Sequence, residues 1–442
     1  MTARRVDVAV VGGGIAGVSA ACELAETGRS VVLLEQEEQL AHHTTGRSAA
    51  IFLESYGPPA VRALTVASRA DYDAAPERFG TPRLLEPRSA LWIAPPSQLT
   101  DLARLVAEVP TLQTIEPSDA ADRCPVLRRD RLAGAAVEPD ASDIDVLALH
   151  QGYVRGLGEA GGTLVRSARV TALDGGDDGW QVRWAGDELT ATTVVLAAGA
   201  WGDELARAAG AGPIGLRPLR RTIAVCRVPP EAAVDPGGPL VCDAAHTWYF
   251  KPEGPNVLVS PADETPSPPC DARADEADVA LGIERVNEAT TLGLRSVVSS
   301  WAGLRTFAPD RVPVVGEDPD LTGLWWLAGQ GGYGIQTAPA MARCLARLLV
   351  DRVLPADVIA LGVEVAELVS FRDHHAYTPG DVERLSRRAE ELGARAVIMT
   401  QKDAVKMPVG PTTSGWKYLL IESRVTRGAD VYDAAIARAL RS

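Results

Sequence analysis

Hydrophobic and polar positions alternate in blocks that predict strand, turn, helix and strand at the start of the chain. In "VDVAVVGGGIAGVSAACELAETGRSVVLLEQ" (6–36), Val8, Val10 and Val11 belong to an apolar run of buried-strand length. Small and apolar residues from Ile15 to Thr27 predict a helix stopped by Gly28, and Val31–Leu34 reads as the next strand. "GTLVRSARVTAL" (162–173) and "WQVRWAGDELTATTVVLAAGA" (180–200) predict strand, hairpin and strand, ending in a small-residue turn. "PDRVPVVGEDPDLTGLWWLAGQGGYGIQT" (309–337) predicts a turn, a strand at Leu324–Ala328 and a second glycine turn that opens a helix from Gly334 to about Leu349. Past residue 370, Thr378 and Asp381 mark a helix start, running to about Leu392 and stopped by Gly393. Strands at 396–400 and 416–423 and a helix at 430–440 complete a small α/β extension.

Composition narrows the classes. At 442 residues, two or three domains are expected. The net charge of −14 argues against a nucleic-acid or anionic-membrane binder, which needs clustered Lys and Arg. No apolar run approaches the ~18 residues of a membrane helix. In "TARRVDVAVVGGG", Asp7 interrupts the apolar part, so the segment reads as a strand and not as a secretion signal. The six cysteines are scattered, with neither a CxxC pair nor zinc-ligand spacing; reduced core thiols, no metal and a cytoplasmic location are the expectation.

The chemistry begins at the first turn. Gly12, Gly14 and Gly17 occupy the GxGxxG positions after a strand and before a helix, and Glu35 ends the next strand. That order supplies a tight turn, close approach to a pyrophosphate, close helix packing and a carboxylate for a ribose hydroxyl. An acid at 35 argues against a 2′-phosphate and so against NADP. "HHTTGRSAA" (42–50) is too polar for another Rossmann helix and offers hydroxyls and N–H groups to the far end of a dinucleotide. The free N–H groups of the helix opening at Gly334 favour partial negative charge, as on the pyrimidine end of a reduced flavin. Gly331, Gly332, Tyr333 and Gly334 are therefore candidates to hold a flavin ring, although a strand-to-helix turn with nothing bound has the same sequence.

"VVGGGIAGVSAACELAETG", "HTTGRSAA", "PVLRRDRLAGA", "DIDVLALHQGYVRG", "AAGAW", "WYFKPEG", "WAGLR" and "GQGGYGIQT" together resemble the FAD-dependent D-amino-acid dehydrogenase/oxidase family, most of all bacterial D-arginine dehydrogenases, over about residues 5–370. The resemblance implies a mixed α/β fold in which a Rossmann-type FAD-binding domain (1–85, 145–215 and 305–370) interleaves with a mixed β-sheet substrate-binding domain (86–144 and 216–304), followed by the extension (371–442). It implies FAD contacts from Gly12, Gly14, Ile15, Ala16, Gly17, Glu35 and Gln36. Others are implied from His43, Thr44, Thr45, Gly46, Arg47, Ser48 and Ala49, and from Val170, Ala198, Gly199 and Trp201. The remainder are Gly303, Gly331, Gly332, Tyr333, Gly334, Ile335 and Gln336. No cysteine lies near "GLRTFAPD", so the FAD is expected to be non-covalent.

By the same resemblance Arg221 and Arg305 clamp the substrate carboxylate, Tyr249 and Tyr56 add hydroxyl bonds, and the Gly332 carbonyl receives the amine. Cα–H then faces flavin N5 for hydride transfer, and the imino acid hydrolyses to a 2-oxo acid and ammonia. Taken as residues alone, Arg221 beside Arg220 also reads as a solvated charge, and Tyr249 between Trp248 and Phe250 as packing. Two departures weaken an arginine preference: Ala90 stands where arginine-specific relatives place a glutamate, and Ile51 replaces a histidine. With Trp92 they suggest an apolar side-chain pocket. The expected reaction is oxidative deamination of a free D-amino acid. The alternatives are an N-methyl or cyclic amino acid substrate, or a non-catalytic fusion protein acting through its C-terminal module. "FRDHHAYTPGDV" and "MTQKDAVK" resemble the C-terminal part of tetraacyldisaccharide 4′-kinases, but the chain has no GxxxxGK[ST] loop, and phosphoryl transfer is not expected. Electron acceptor and oligomeric state stay open.

Overall fold

The N-terminal strand, Arg4–Val11, lies inside an eight-stranded sheet, with parallel partners Val31–Leu34 on one side and Asp187–Leu196 on the other. This computed structural model describes residues 4–176, 178–232, 234–353, 355, 378, 383, 384, 387, 397–400 and 416–419. Side chains of a strand alternate between faces, and here both faces are covered. Val8 and Val10 join a core built with the helices Ile15–Glu26, Pro59–Phe79, Val146–Glu159 and Gly334–Asp351. Val6, Ala9 and Val11 face a second core with Trp180, Val182, Leu189 and Ala206. The run 162–173 resolves into two strands, Thr163–Val165 and Val170–Gly176. Leu324–Ala328 is a strand as expected, parallel to Asp187–Leu196.

A second, nine-stranded sheet is built around two long antiparallel strands, Arg217–Arg227 and Val297–Phe307. A third sheet of three short strands, Ile51–Phe52, Leu85–Pro87 and Ser142–Ile144, draws on segments far apart in sequence. The mixed α/β architecture agrees with expectation. The expected domain boundary at 304/305 falls inside Val297–Phe307, because strand pairing continues across it.

Contacts divide the chain into two compact units, Met1–Leu361 and Gly362–Ser442. In the second, Val397–Thr400 and Trp416–Leu419 pair in parallel. The expected helices at 378–392 and 430–440, and the adjacent His374 and His375, lie outside the described residues apart from 378, 383, 384 and 387. Among the described residues no helix is long and apolar enough to cross a membrane. Cys270 is exposed, and the other five cysteines are buried.

Candidate active site

The first glycine turn is dictated by backbone crowding. Gly12 has φ +118°, and a Cβ there would stand 2.4 Å from the Ala197 carbonyl oxygen. A Cβ on Gly17 would stand 1.7 Å from the Gly12 carbonyl oxygen, so this glycine lets the helix approach the strand. The helix carries no side-chain N-cap, and its first N–H, on Ile15, donates to Thr45 Oγ1 at 3.0 Å. The buried Glu35 carboxylate accepts the N–H groups of Gly13 and Glu37. Behind the turn, His150 Nε2 lies 3.0 Å from the Gly13 carbonyl oxygen; a carbonyl only accepts, so the proton sits on Nε2. Burial holds the His150 pKa below the ordinary histidine value.

Gly12, Gly13, Ile15, Glu35 and Thr45 border a cavity of about 580 Å³. Gly12, Gly14, Ile15, Ala16, Glu35 and Gln36 line it, as do His43, Thr44, Thr45, Arg47, Ser48 and Ala49. So do Val170, Ala198, Gly199, Trp201, Gly303, Gly331, Gly332, Gly334 and Ile335. Gly17 and Gly46 are not on this lining; Gly46 instead permits a tight turn, where a Cβ would meet the Ala41 carbonyl oxygen at 2.4 Å. Tyr333 and Gln336 line the neighbouring cavity. The Gln336 amide is held by Leu53 and Thr65, because one residue beyond Ile335 the helix has turned it away. Sequence reasoning missed Gly13, Ala168, Arg169, Thr171 and Gln330. Gly13 was legible in the triple glycine, while Ala168 to Thr171 were hidden in a strand entry whose approach is tertiary. Three polar atoms along this cavity, His43 Nδ1, Thr306 Oγ1 and Gln330 Nε2, are buried with no hydrogen-bond partner. Buried polar atoms are rarely left so: ordered water or a ligand meets them.

A second cavity, about 1000 Å³, shares Ser48, Ala49, Arg221, Arg305, Gly332 and Ile335 with the first. The sheet register explains the meeting of the two arginines. Arg221 pairs with Gly303 and Leu219 with Arg305, and the period of two puts all four on one sheet face. Arg305 Nη1 donates to Tyr56 Oη at 2.9 Å, and among the described residues Arg305 has no carboxylate within salt-bridge distance. Arg221 donates to the Asp263 carbonyl oxygen at 2.8 Å and lies 3.4 Å from Glu264 Oε1. A Cβ on Gly332 would stand 2.9 Å from Arg305 Nη1 and 3.1 Å from Tyr56 Oη. Tyr249 and Trp92 line this cavity, and Tyr249 Oη and Trp92 Nε1 are buried without partners.

The electrostatics follow from the clustering. Burial would raise the Tyr56 phenol, but the Arg305 and Arg221 guanidiniums outweigh it and hold it below the ordinary tyrosine value. Burial, then the like charge of Arg305, lowers Arg221. Tyr333 is pushed up to about 12 by burial and by Tyr56. Ile51 and Trp92 line the cavity, as the apolar-pocket expectation requires, but Ala90 does not. Its strand is paired on both edges, to Glu138 and Leu240, which fixes Ala90 in the core with no exposure. His246, Arg62, Arg285 and Arg311 are further lining residues that no sequence motif had marked.

A family model described as FAD dependent oxidoreductase matches residues 7–348, and one described as tetraacyldisaccharide-1-P 4′-kinase matches 353–441. Dimethylglycine dehydrogenase of Rattus norvegicus is 24% identical over 81% of this chain and 44% of its own length, so the chain spans less than half of that relative. Glycine oxidase of Geobacillus kaustophilus is 25% identical over 78% of this chain and 93% of its own. The structure of L-proline dehydrogenase from P. horikoshii superposes with a TM-score of 0.71 at 19% identity, covering 79% and 94%, a likeness of fold alone. These relatives do not carry the expected closeness to D-arginine dehydrogenases. FAD suits the first cavity on the chain's own evidence: the glycine turn Gly12–Gly14 at a helix start lines it, as do three residues whose buried polar atoms have no partner among the described residues.

Proposed function

The chain belongs to the FAD dependent oxidoreductase family, and from that premise we propose that it oxidises the carbon–nitrogen bond of a small amino acid with an unhindered, N-methylated or cyclic amine. Bound in the first cavity, FAD supplies the acceptor for the electrons of the Cα–H bond. The observation that carries the reading is the junction of the two cavities, where Arg221, Arg305 and the Gly332 backbone share one surface. Two fork-shaped guanidiniums, one free of carboxylates, suit a substrate carboxylate. Tyr56 and Tyr249 offer hydroxyls to it, and the Gly332 carbonyl receives the amine hydrogen. Holding carboxylate and amine at two points orients Cα toward the first cavity, and such positioning supplies much of a rate. The names of the relatives, glycine oxidase and dimethylglycine dehydrogenase, favour this class over free D-amino acids with large side chains.

The test is anaerobic mixing of the purified yellow protein with glycine, N-methylglycine, N,N-dimethylglycine, proline, and D- and L-alanine, leucine and phenylalanine. Bleaching of the oxidised flavin band fastest with the first four is expected. Bleaching confined to D-amino acids would return the reading to oxidative deamination of D-amino acids. No bleaching by any amine would leave a flavoprotein without this activity.

A further inference from the structure

The second cavity carries arginines beyond the two of the proposed carboxylate clamp. Its lining holds five arginines, Arg62, Arg221, Arg285, Arg305 and Arg311, against three acids, Glu108, Asp263 and Glu264, an excess of two positive charges. This occurs in a chain whose net charge is −14. Two of the three acids are committed to protein groups. Glu264 is shared between Arg311, at 2.7 and 3.0 Å, and Arg221 at 3.4 Å. Asp263 accepts from Thr222 N at 2.7 Å and Thr222 Oγ1 at 3.1 Å, and lies 3.7 Å from Arg220.

Arg285 differs from Arg62 in spending only one Nη on the protein. From the helix Glu276–Ala289 its Nη1 donates to the carbonyl oxygens of Thr247, at 2.6 Å, and Pro261, at 3.0 Å. These two bonds anchor the guanidinium on the cavity wall, and its Nε and Nη2 have no protein partner among the described residues. No carboxylate there neutralises it. Three guanidiniums on this lining, Arg62, Arg285 and Arg305, have no carboxylate within salt-bridge distance among the described residues; Arg62 donates from both Nη atoms to the carbonyl oxygens of Gly57 and Glu108, which leaves Arg285 and Arg305 facing one cavity from different elements. A single substrate carboxylate satisfies one of them. A cavity of about 1000 Å³ is also several times larger than a glycine-sized ligand needs.

We propose that Arg285 seats a second carboxylate, so that the substrate class is an amino dicarboxylate, either an acidic amino acid or an N-carboxyalkyl amino acid. The first carboxylate lies at Arg305 and Arg221 and the second at Arg285. This rests on the amino-acid reading above and narrows its substrate.

The test separates the two. The FAD-loaded full chain is titrated with succinate and with its monoamide, succinamate, by perturbation of the flavin spectrum, which needs no turnover. Succinate binding about tenfold tighter than the near-isosteric monoamide is expected, a difference of about 1.4 kcal/mol. Arg285→Gln should bring the ratio to about one, and Arg285→Lys should retain most of it, which also guards against a variant that merely misfolds. Equal affinities in the unmutated protein, or an undiminished ratio in R285Q, would overturn the inference. The same preparations are mixed with aspartate against asparagine and iminodiacetate against N-methylglycine. Succinate preference without bleaching by any amine would sink the oxidation reading and leave the dicarboxylate site standing; bleaching with no acid preference would do the reverse.

Discussion

Gly332 illustrates how an absent side chain shapes a site. A methyl there would stand 2.9 Å from Arg305 Nη1 and 3.1 Å from Tyr56 Oη, the groups assigned to the substrate. Gly332→Ala is expected to retain bound flavin and raise KM about tenfold or more, checked by steady-state kinetics beside the flavin-to-protein ratio. Tyr56 gives a pH signature. Its phenol is held below the ordinary value of about 10 by Arg305 and Arg221. Below its pKa the phenol is neutral and Arg305 is available to a carboxylate. As pH rises through it, the phenolate competes for Arg305 and KM climbs. Tyr56→Phe should remove that alkaline climb; a KM–pH profile unchanged from the unmutated protein would exclude the role. At this scale motif positions marked Arg221, Arg305 and Tyr249, and all three line the second cavity. Ala90 was misplaced, because which residues of a fully buried strand border a cavity depends on neighbours far away in sequence.

Among elements, the glycine turn with its strand and helix was the most legible, down to the helix limits: Ile15–Glu26 against an expected 15–27. Local rules suffice there, since crowding at Gly12 and Gly17 arises within the unit or from one adjoining strand. Gly17→Val should separate helix from strand, destabilise by about 1–3 kcal/mol or more, and lower FAD retention, read by thermal melts of the holoprotein and by released flavin. His150, on the helix Val146–Glu159, supports the same turn through the Gly13 carbonyl. Its folded pKa is depressed below the unfolded value near about 6.5. The unfolded chain therefore takes up a proton first as pH falls, and stability is lost progressively below that value, while nothing is lost above it. Urea midpoints from pH 7.5 to 5 should show this decline, and His150→Gln should flatten it. The loop at 42–50 was recognised as something other than a helix, and it forms a short 3₁₀ turn at Thr44–Arg47. Its attachments, Thr44 Oγ1 to the Leu304 carbonyl and Arg47 to the Ala272 and Ala302 carbonyls, span more than 200 positions and leave no local trace.

For the whole molecule, every residue lining the two cavities belongs to the unit Met1–Leu361. Ending the chain at residue 361 should therefore keep bound flavin, with KM and bleaching rates within about twofold; loss of either would mean that the C-terminal unit contributes to the site. By itself the sequence determined the dinucleotide turn and the alternation of strands and helices, because each depends on residues within one or two turns of chain, and the FAD class through motifs spread along it. Only the tertiary structure decided that Arg221 and Arg305 share a sheet face and that two cavities meet at Gly332. Only it decided that Ala90 lies away from both cavities and that Arg285 faces the second without a carboxylate. Those facts depend on strand register and on packing between segments as far apart in sequence as Tyr56 and Arg305. Neither the period of the chain nor its motifs encode that distance locally.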